Sequence, residues 1–203
     1  MTIYTVIEPL WNQVFMYQNK SRKRILTAFR ELLLHHDYCD ITVLNIINQA
    51  DVSKSTFYRH YTRKLDIFID MHNGIFQTIL QDFNTPEDWL HHKPHSAFIK
   101  MATIAVNKNG AGRSMIYMMG NDWGHASRLI RQNLADEIQL KLEAVFSEHT
   151  WLVPVADVSG AIAALHIDYI TQLNQNSAAH SIEQQTQSLK YFIRAIINSS
   201  LKN

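Results

Sequence analysis

The segment Thr42–Lys64, TVLNIINQADVSKSTFYRHYTRK, constrains the fold more than any other part of the chain. Val43, Leu44, Ile46 and Ile47 predict a short helix over 42–49 with one buried face. Thr42 suits its N-cap, because a hydroxyl there accepts from an unpaired backbone N–H. Asp51 tolerates positive φ and can close a tight turn after Ala50. Val52 is apolar and can plug the core between two crossing helices, and Ser53 can cap a second helix expected over Lys54–Tyr61. Two short helices joined this way form a helix-turn-helix. Phe57 and Tyr61, four apart, point inward, while Lys54, Ser55, Thr56, Arg59 and His60 lie on or near the other side. Such a helix fits the major groove, where these groups can donate to phosphates and to guanine or adenine edges. A helical hairpin with a solvated polar face has the same periodicity, so spacing alone leaves both readings open.

Charge distribution narrows the choice. The chain has 203 residues, enough for one large or two small domains, and is 46% hydrophobic, enough for a substantial core. Its net charge of +1 says little, but from Lys20 to Lys64 nine Lys and Arg face four carboxylates, a net +5. The other residues carry ten against fourteen, a net −4. A basic module on a mildly acidic body is the electrostatic pattern of a nucleic-acid binder with a separate second domain. The single Cys39 allows no internal disulfide, which fits a reducing cytoplasm. It is expected as a small buried residue beside the first helix. No run reaches the roughly 18 apolar residues of a membrane helix, and the N-terminus lacks the basic start and apolar core of a signal peptide. The expectation is a cytoplasmic protein with no membrane partner.

Ile46, Ala50, Val52, Ser53, Thr56, Phe57, Tyr58, Tyr61 and Lys64 together resemble the DNA-binding domain of the TetR family of transcriptional regulators, over about residues 20–76. Three positions depart from the family pattern. Asp51 replaces the turn Gly, implying mild strain. Ile47 replaces a small residue where two helices approach closely. Leu65 replaces an acidic residue after Lys64. The resemblance implies an all-α fold: an N-terminal extension (1–19), a three-helix helix-turn-helix DNA-binding domain (20–66), and a helical ligand-binding and dimerisation domain (67–203). It implies DNA contacts at Thr42, Ser53, Lys54, Ser55, Thr56, Tyr58, Arg59, His60 and Lys64. Among these, Lys54, Ser55, Thr56 and Arg59 would reach base edges or nearby phosphates, and Thr42, Tyr58, His60 and Lys64 would anchor the backbone. It further implies that the helix from Thr62 to about Phe83 links the domains and carries a ligand signal.

The remaining chain reads as helices and breaks. Residues 1–19 are apolar and aromatic, with Pro9 able to open a short helix, and are expected to pack on the first helix or on a partner subunit. Lys20–His36 is amphipathic, with Ile25, Phe29, Leu32, Leu33 and His36 on one stripe and Lys20, Arg22, Lys23 and Arg24 at its N-terminus. In the helix capped by Thr62, Leu65, Phe68, Met71, Ile75 and Ile79 form the buried stripe. Asn84–Pro94 is a loop or broken helix. His91, His92 and His95 lie there, but adjacent histidines point apart on a helix and no carboxylate or Cys completes a metal spacing. Further helices are expected over 96–107, 113–119, 123–149, 154–176 and 181–201, with a break at 109–112. Ile182, Leu189, Phe192, Ile193, Ile196 and Ile197 should face inward on the last.

Met and aromatic residues around these breaks suit an adaptable apolar pocket. The candidates are Phe76, Met101, Tyr117, Met118, Trp123, His166 and Tyr169, the last two polar-tipped, for an unidentified small apolar or amphipathic ligand. The resulting reading is a ligand-responsive regulator, most often a repressor, binding a palindromic site on double-stranded DNA as a homodimer. The alternative is a regulator or coactivator of the same fold controlled by a protein partner. Met119–Ala126 resembles a subgroup typified by dihydroxyacetone-kinase regulators, some of which answer to such a partner. Asp122, His125 and Ser127 lie close in sequence, but no nucleophile elbow, metal spacing or phosphate loop accompanies them, so no enzyme, metal or cofactor is expected.

Overall fold

Asn19 starts the first helix: its side chain accepts from Ser21 N at 3.1 Å, and α1 runs Lys20–His35. This computed structural model describes residues 19–94, 98–99, 102–103, 119–172 and 181–202. Helix α1 buries Ile25, Leu26, Ala28 and Phe29. Leu32 and Leu33 are half-buried, and His36, expected on the inward stripe, is the exposed C-cap. A 3-10 turn at Tyr38–Asp40 then puts Tyr38 into the core, edge-on to Phe29 and Phe68 at centroid distances of 6.3 and 5.8 Å. Cys39 is exposed rather than buried. In a 3-10 turn successive side chains diverge by about a third of a turn, so filling the core with Tyr38 turns its neighbour outward.

Helices α2 (Val43–Ala50) and α3 (Lys54–His60) both pack against α1. Ile46 and Phe57, fully buried, are the pegs of that packing. Helix α4 runs Lys64–Leu80, shorter at both ends than the sequence suggests. Its opening rests on Asp66 rather than on a Thr62 cap: one carboxylate oxygen accepts from Thr62 N and Arg63 N, each at 3.0 Å. A carboxylate in the first turn also complements the helix dipole.

The segment over 84–94 contains one short helix, α5 (Pro86–Leu90). Thr85 and Asp88 form a reciprocal capping box and Pro86 sits where a missing N–H costs nothing. Trp89 is buried, 4.8 Å from the Phe83 ring. Helix α6 (Asp122–Val145) buries Ile130, Leu134, Ile138 and Leu142 at every fourth position. Helix α7 (Val155–Gln172) packs on α8 (Ile182–Ser200), which also packs on α5. Trp151 and Leu201 form a single antiparallel bridge, with Leu152 N donating to Ser200 O at 2.7 Å.

The described residues thus form eight α-helices and no strand beyond that bridge. None of these helices is long and apolar enough to cross a membrane. Two compact units emerge. Among the described residues one comprises 19–75 with 119–126, and the other 76–94, 98–99, 102–103, 127–172 and 181–202. One expectation for α8 changes: Phe192 is 52% exposed and its neighbour Tyr191 62%. The inward stripe of α8 is Thr186, Leu189, Lys190, Ile193 and Ile197, and a step of one residue from Ile193 rotates Phe192 about 100° away. The elements expected over 1–18, 109–112 and 113–118, most of 96–107, and the ends beyond Gln172 lie outside the described residues.

Candidate nucleic-acid interface

The turn between α2 and α3 is built around Asp51, at φ 47° and ψ 56°, the one non-glycine residue with positive φ among those described. Its N–H donates to Asn48 O at 3.2 Å, and Val52 N to Ile47 O at 3.3 Å, which satisfies carbonyls left over at the end of α2. A left-handed non-glycine residue costs about 1–2 kcal/mol. Arg24 offsets part of this: its Nη2 donates to both the carbonyl and a carboxylate oxygen of Asp51, each at 2.6 Å. The pair is exposed, so its contribution is at most about 1 kcal/mol. Mild strain at this turn is therefore held by an α1 side chain rather than removed by glycine. Ile47 and Leu65, the two other departures, are both buried in the packing of this unit.

Ser53 caps α3, accepting from Thr56 N at 3.1 Å, and its hydroxyl lies 2.8 Å from Thr56 Oγ1 and 3.0 Å from Ser55 Oγ. Phe57 anchors the helix at 0% exposure, and Tyr58 stands edge-on to it, 50% exposed. Lys54, Ser55 and Arg59 are exposed on the remaining surface, and Thr56 is half-buried. No hydrogen bond from Lys54 or Arg59 forms among the described residues, so both cations face outward uncommitted. Thr42 is exposed but occupied: its hydroxyl donates to Asn45 Oδ1 at 2.5 Å and accepts from Asn45 N at 3.1 Å, the capping box of α2.

The two other residues expected to anchor a phosphate backbone, His60 and Lys64, make contacts within the unit. His60 Nε2 lies 2.8 Å from Ser21 Oγ, and loss of hydration, then repulsion from Arg59 and Arg22, holds its pKa below the ordinary value. At neutral pH the ring is uncharged. Lys64 Nζ donates to three carbonyls, Tyr38 O at 2.6 Å, Ile41 O at 2.9 Å and Cys39 O at 3.2 Å, and sits 4.3 Å from the centre of the Tyr38 ring. All three of its N–H groups are committed to holding the 3-10 turn. Behind α3, Tyr61 and Arg22 both donate to the Asp70 carboxylate. Burial, then the Asp70 hydrogen bond, pushes the Tyr61 phenol far above its ordinary pKa, so it stays a donor. These groups set the angle at which α3 leaves α1 and meets α4.

Within the second unit, Phe76, His166 and Tyr169 are buried together around Phe98, whose ring centre lies 5.1 Å from His166 and 5.4 Å from Tyr169. Trp123 belongs to the other unit, and Met101, Tyr117 and Met118 lie outside the described residues. Beside this cluster is an apolar cleft, partly open to solvent. Ile79, Phe83, Trp89, Phe98 and Ile193 supply apolar wall, and His166, Thr186 and Lys190 the polar groups. Burial pushes the His166 pKa down to about 4, so its Nδ1–H donates to Ile162 O at 2.8 Å and Nε2 remains an acceptor. Thr186 and Lys190 were missed by sequence reasoning. Their signal was there, since polar residues at 186 and 190 interrupt an apolar stripe continued by Ile193 and Ile197.

Residues 25–71 match the family described as bacterial regulatory proteins, tetR family. No curated protein matches the chain. Among solved structures, a protein of Syntrophomonas wolfei strain Goettingen, described as a TetR-family transcriptional regulator, is similar with a TM-score of 0.57 and 18% identity, over 88% of this chain and 96% of that one. The dihydroxyacetone kinase operon activator DhaS is similar with a TM-score of 0.52 and 15% identity, over 90% of this chain and 98% of that one. At such identities the likeness is one of fold.

Proposed function

We propose, from the premise that the match over residues 25–71 identifies a TetR-family transcriptional regulator, that two copies bind a palindromic operator, repressing a target until a small ligand releases them. The observation that carries the reading is the division of α3. Phe57 is fully buried, while Lys54, Ser55 and Arg59 are exposed beside a capped N-terminus. A helix reads the major groove through its N-terminal residues. Lys54, Ser55, Thr56 and Arg59 take the base edges and adjoining phosphates. Thr42, Ser53 and Tyr58 flank them on the backbone. His60 and Lys64 act from behind, by holding the module's shape.

One such helix reads only a few base pairs, and a two-fold pair reads two half-sites. Tyr191 and Phe192, exposed side by side on α8, supply an apolar face for the second copy. The cleft in the second unit is the place for a ligand, and the protein works inside the cell, where its DNA is. Selection of bound duplexes from a random pool tests the core of this reading. A palindrome is expected, and its half-site preference should change in Arg59→Ala and Lys54→Ala. A non-palindromic product, or no enrichment in low salt, overturns it.

A further inference from the structure

The cleft of the second unit contains polar groups whose chemistry goes beyond packing. Lys190 is 5% exposed. Its Nζ donates to Asp88 O at 2.7 Å and Trp89 O at 3.1 Å, the last carbonyls of α5, and lies 5.3 Å from the centre of the Phe83 ring. Among the described residues it forms no ion pair. Arg194, one helical turn on, forms none either, and its Nε is buried without a hydrogen-bond partner there. Trp89 is 1% exposed, and its indole N–H likewise has no partner among the described residues. A buried N–H left unmade costs about 1–3 kcal/mol, and an unpaired buried charge costs more. Of these groups Trp89 and Lys190 both line the cleft, the first with its N–H unmade and the second as a buried cation. Burial, then repulsion from Arg194, pushes the Lys190 pKa down to about 8, so the ammonium is still charged at neutral pH.

A C-cap role for Lys190 accounts for the two carbonyl contacts, since a cation at a helix C-terminus is favourable. It leaves unexplained why the cation is buried against an apolar cleft that Trp89, its indole N–H unpartnered, also lines. We propose that the cleft binds a small apolar carboxylate, its hydrocarbon part against Phe83, Phe98 and Ile193 and its carboxylate on Lys190 Nζ and Trp89 Nε1–H. This rests on the reading that the second unit takes a ligand, and it names the class. A carboxylate brings a charge into direct contact with Lys190, which Asp88 and Glu87 supply only from beyond ion-pair distance, and accepts from both donors, and charge-assisted hydrogen bonds of this kind are the stronger ones. His166, neutral and also lining the cleft, adds no competing charge.

The test is calorimetric titration of the full chain with hexanoate and benzoate, each against its neutral amide, together with operator binding in the presence of each compound. Carboxylates should bind at least about tenfold more tightly than amides. Trp89→Phe, which keeps an aromatic side chain and removes the N–H, should weaken carboxylate binding several-fold and amide binding less. Lys190→Met should abolish the preference, and because it also uncaps α5, Trp89→Phe stands as the independent check. Equal binding of acids and amides, no binding of either, or a preference that survives both variants overturns the proposal. If carboxylates bind with the expected preference and operator affinity stays unchanged, the site stands and ligand control of DNA binding falls. If operator affinity responds to amides and not to acids, ligand control stands and the carboxylate assignment falls.

Discussion

At the scale of single residues, Lys64 shows what geometry adds to residue type. A lysine at the start of the helix that follows a recognition helix suits a phosphate. Here its three N–H groups donate to Tyr38, Cys39 and Ile41 carbonyls. Lys64→Met should therefore lower stability by about 2 kcal/mol, since several acceptors lose a charged donor. On the proposed internal role it should leave the slope of DNA affinity against salt unchanged, because a lysine committed to carbonyls exchanges no counterion. Lys54→Ala should do the reverse, reducing that slope by about 1 with no change in thermal midpoint. A Lys64→Met protein of normal stability with a reduced slope would return the residue to the phosphate backbone. Cys39 makes the same point in the opposite direction: a residue type common in cores is exposed because Tyr38 occupies the inward position of its turn.

Between elements, the orientation of α3 depends on groups that lie outside it. Tyr61, its C-cap, and Arg22 of α1 converge on Asp70 of α4, while Ser21 meets His60. The carboxylate is the hub, because it alone accepts from both neighbours. Asp70→Asn removes the charge while keeping the shape, and leaves Arg22 with a weaker acceptor. Arg22 is part-exposed, so the stability loss should be only about 1 kcal/mol. Operator affinity should fall about tenfold equally for preferred and unrelated duplexes, as α3 loses its fixed angle without losing a base contact. A change in sequence preference in this variant would mean that Asp70 acts on readout itself.

For the whole molecule, acid response and assembly follow from groups spread over both units. His60, His72, His91 and His166 all have pKa values held below 6.5, in each case first by loss of hydration. The unfolded chain then binds more protons than the folded one below that value. Stability is fully present above pH 6.5 and is lost as pH falls toward about 4, the value for His166. Chemical unfolding midpoints between pH 7.5 and 5 should fall, and His166→Gln should flatten the decline. In assembly, Phe192→Glu places a charge on the exposed face of α8. If two copies pair through this face as proposed, sedimentation should then show monomers with an unchanged helical signal, and operator affinity should fall by orders of magnitude. Dimers persisting in that variant would place the partner face elsewhere.

The helices of the first unit, the caps of α2 and α3 and the turn between them are legible in the sequence because each depends on neighbours within a few residues, whereas the Thr62 cap expected for α4 gives way to Asp66. Ser53, Thr42 and Asp51 do locally what their side chains can do anywhere, and the apolar periods of α1, α4 and α6 follow from helical geometry alone. Partners distant in sequence were not legible. Nothing local tells Lys64 to meet carbonyls more than twenty residues earlier, or Lys190 to cap a helix a hundred residues away. The same holds for the outward turn of Phe192, which reads as one more apolar residue on an apolar stripe. A hydrogen bond or ion pair across the fold is decided by which side chain arrives with unmet donors at which unmet acceptors. That depends on how helices pack in three dimensions, which the order of residues along one helix does not state.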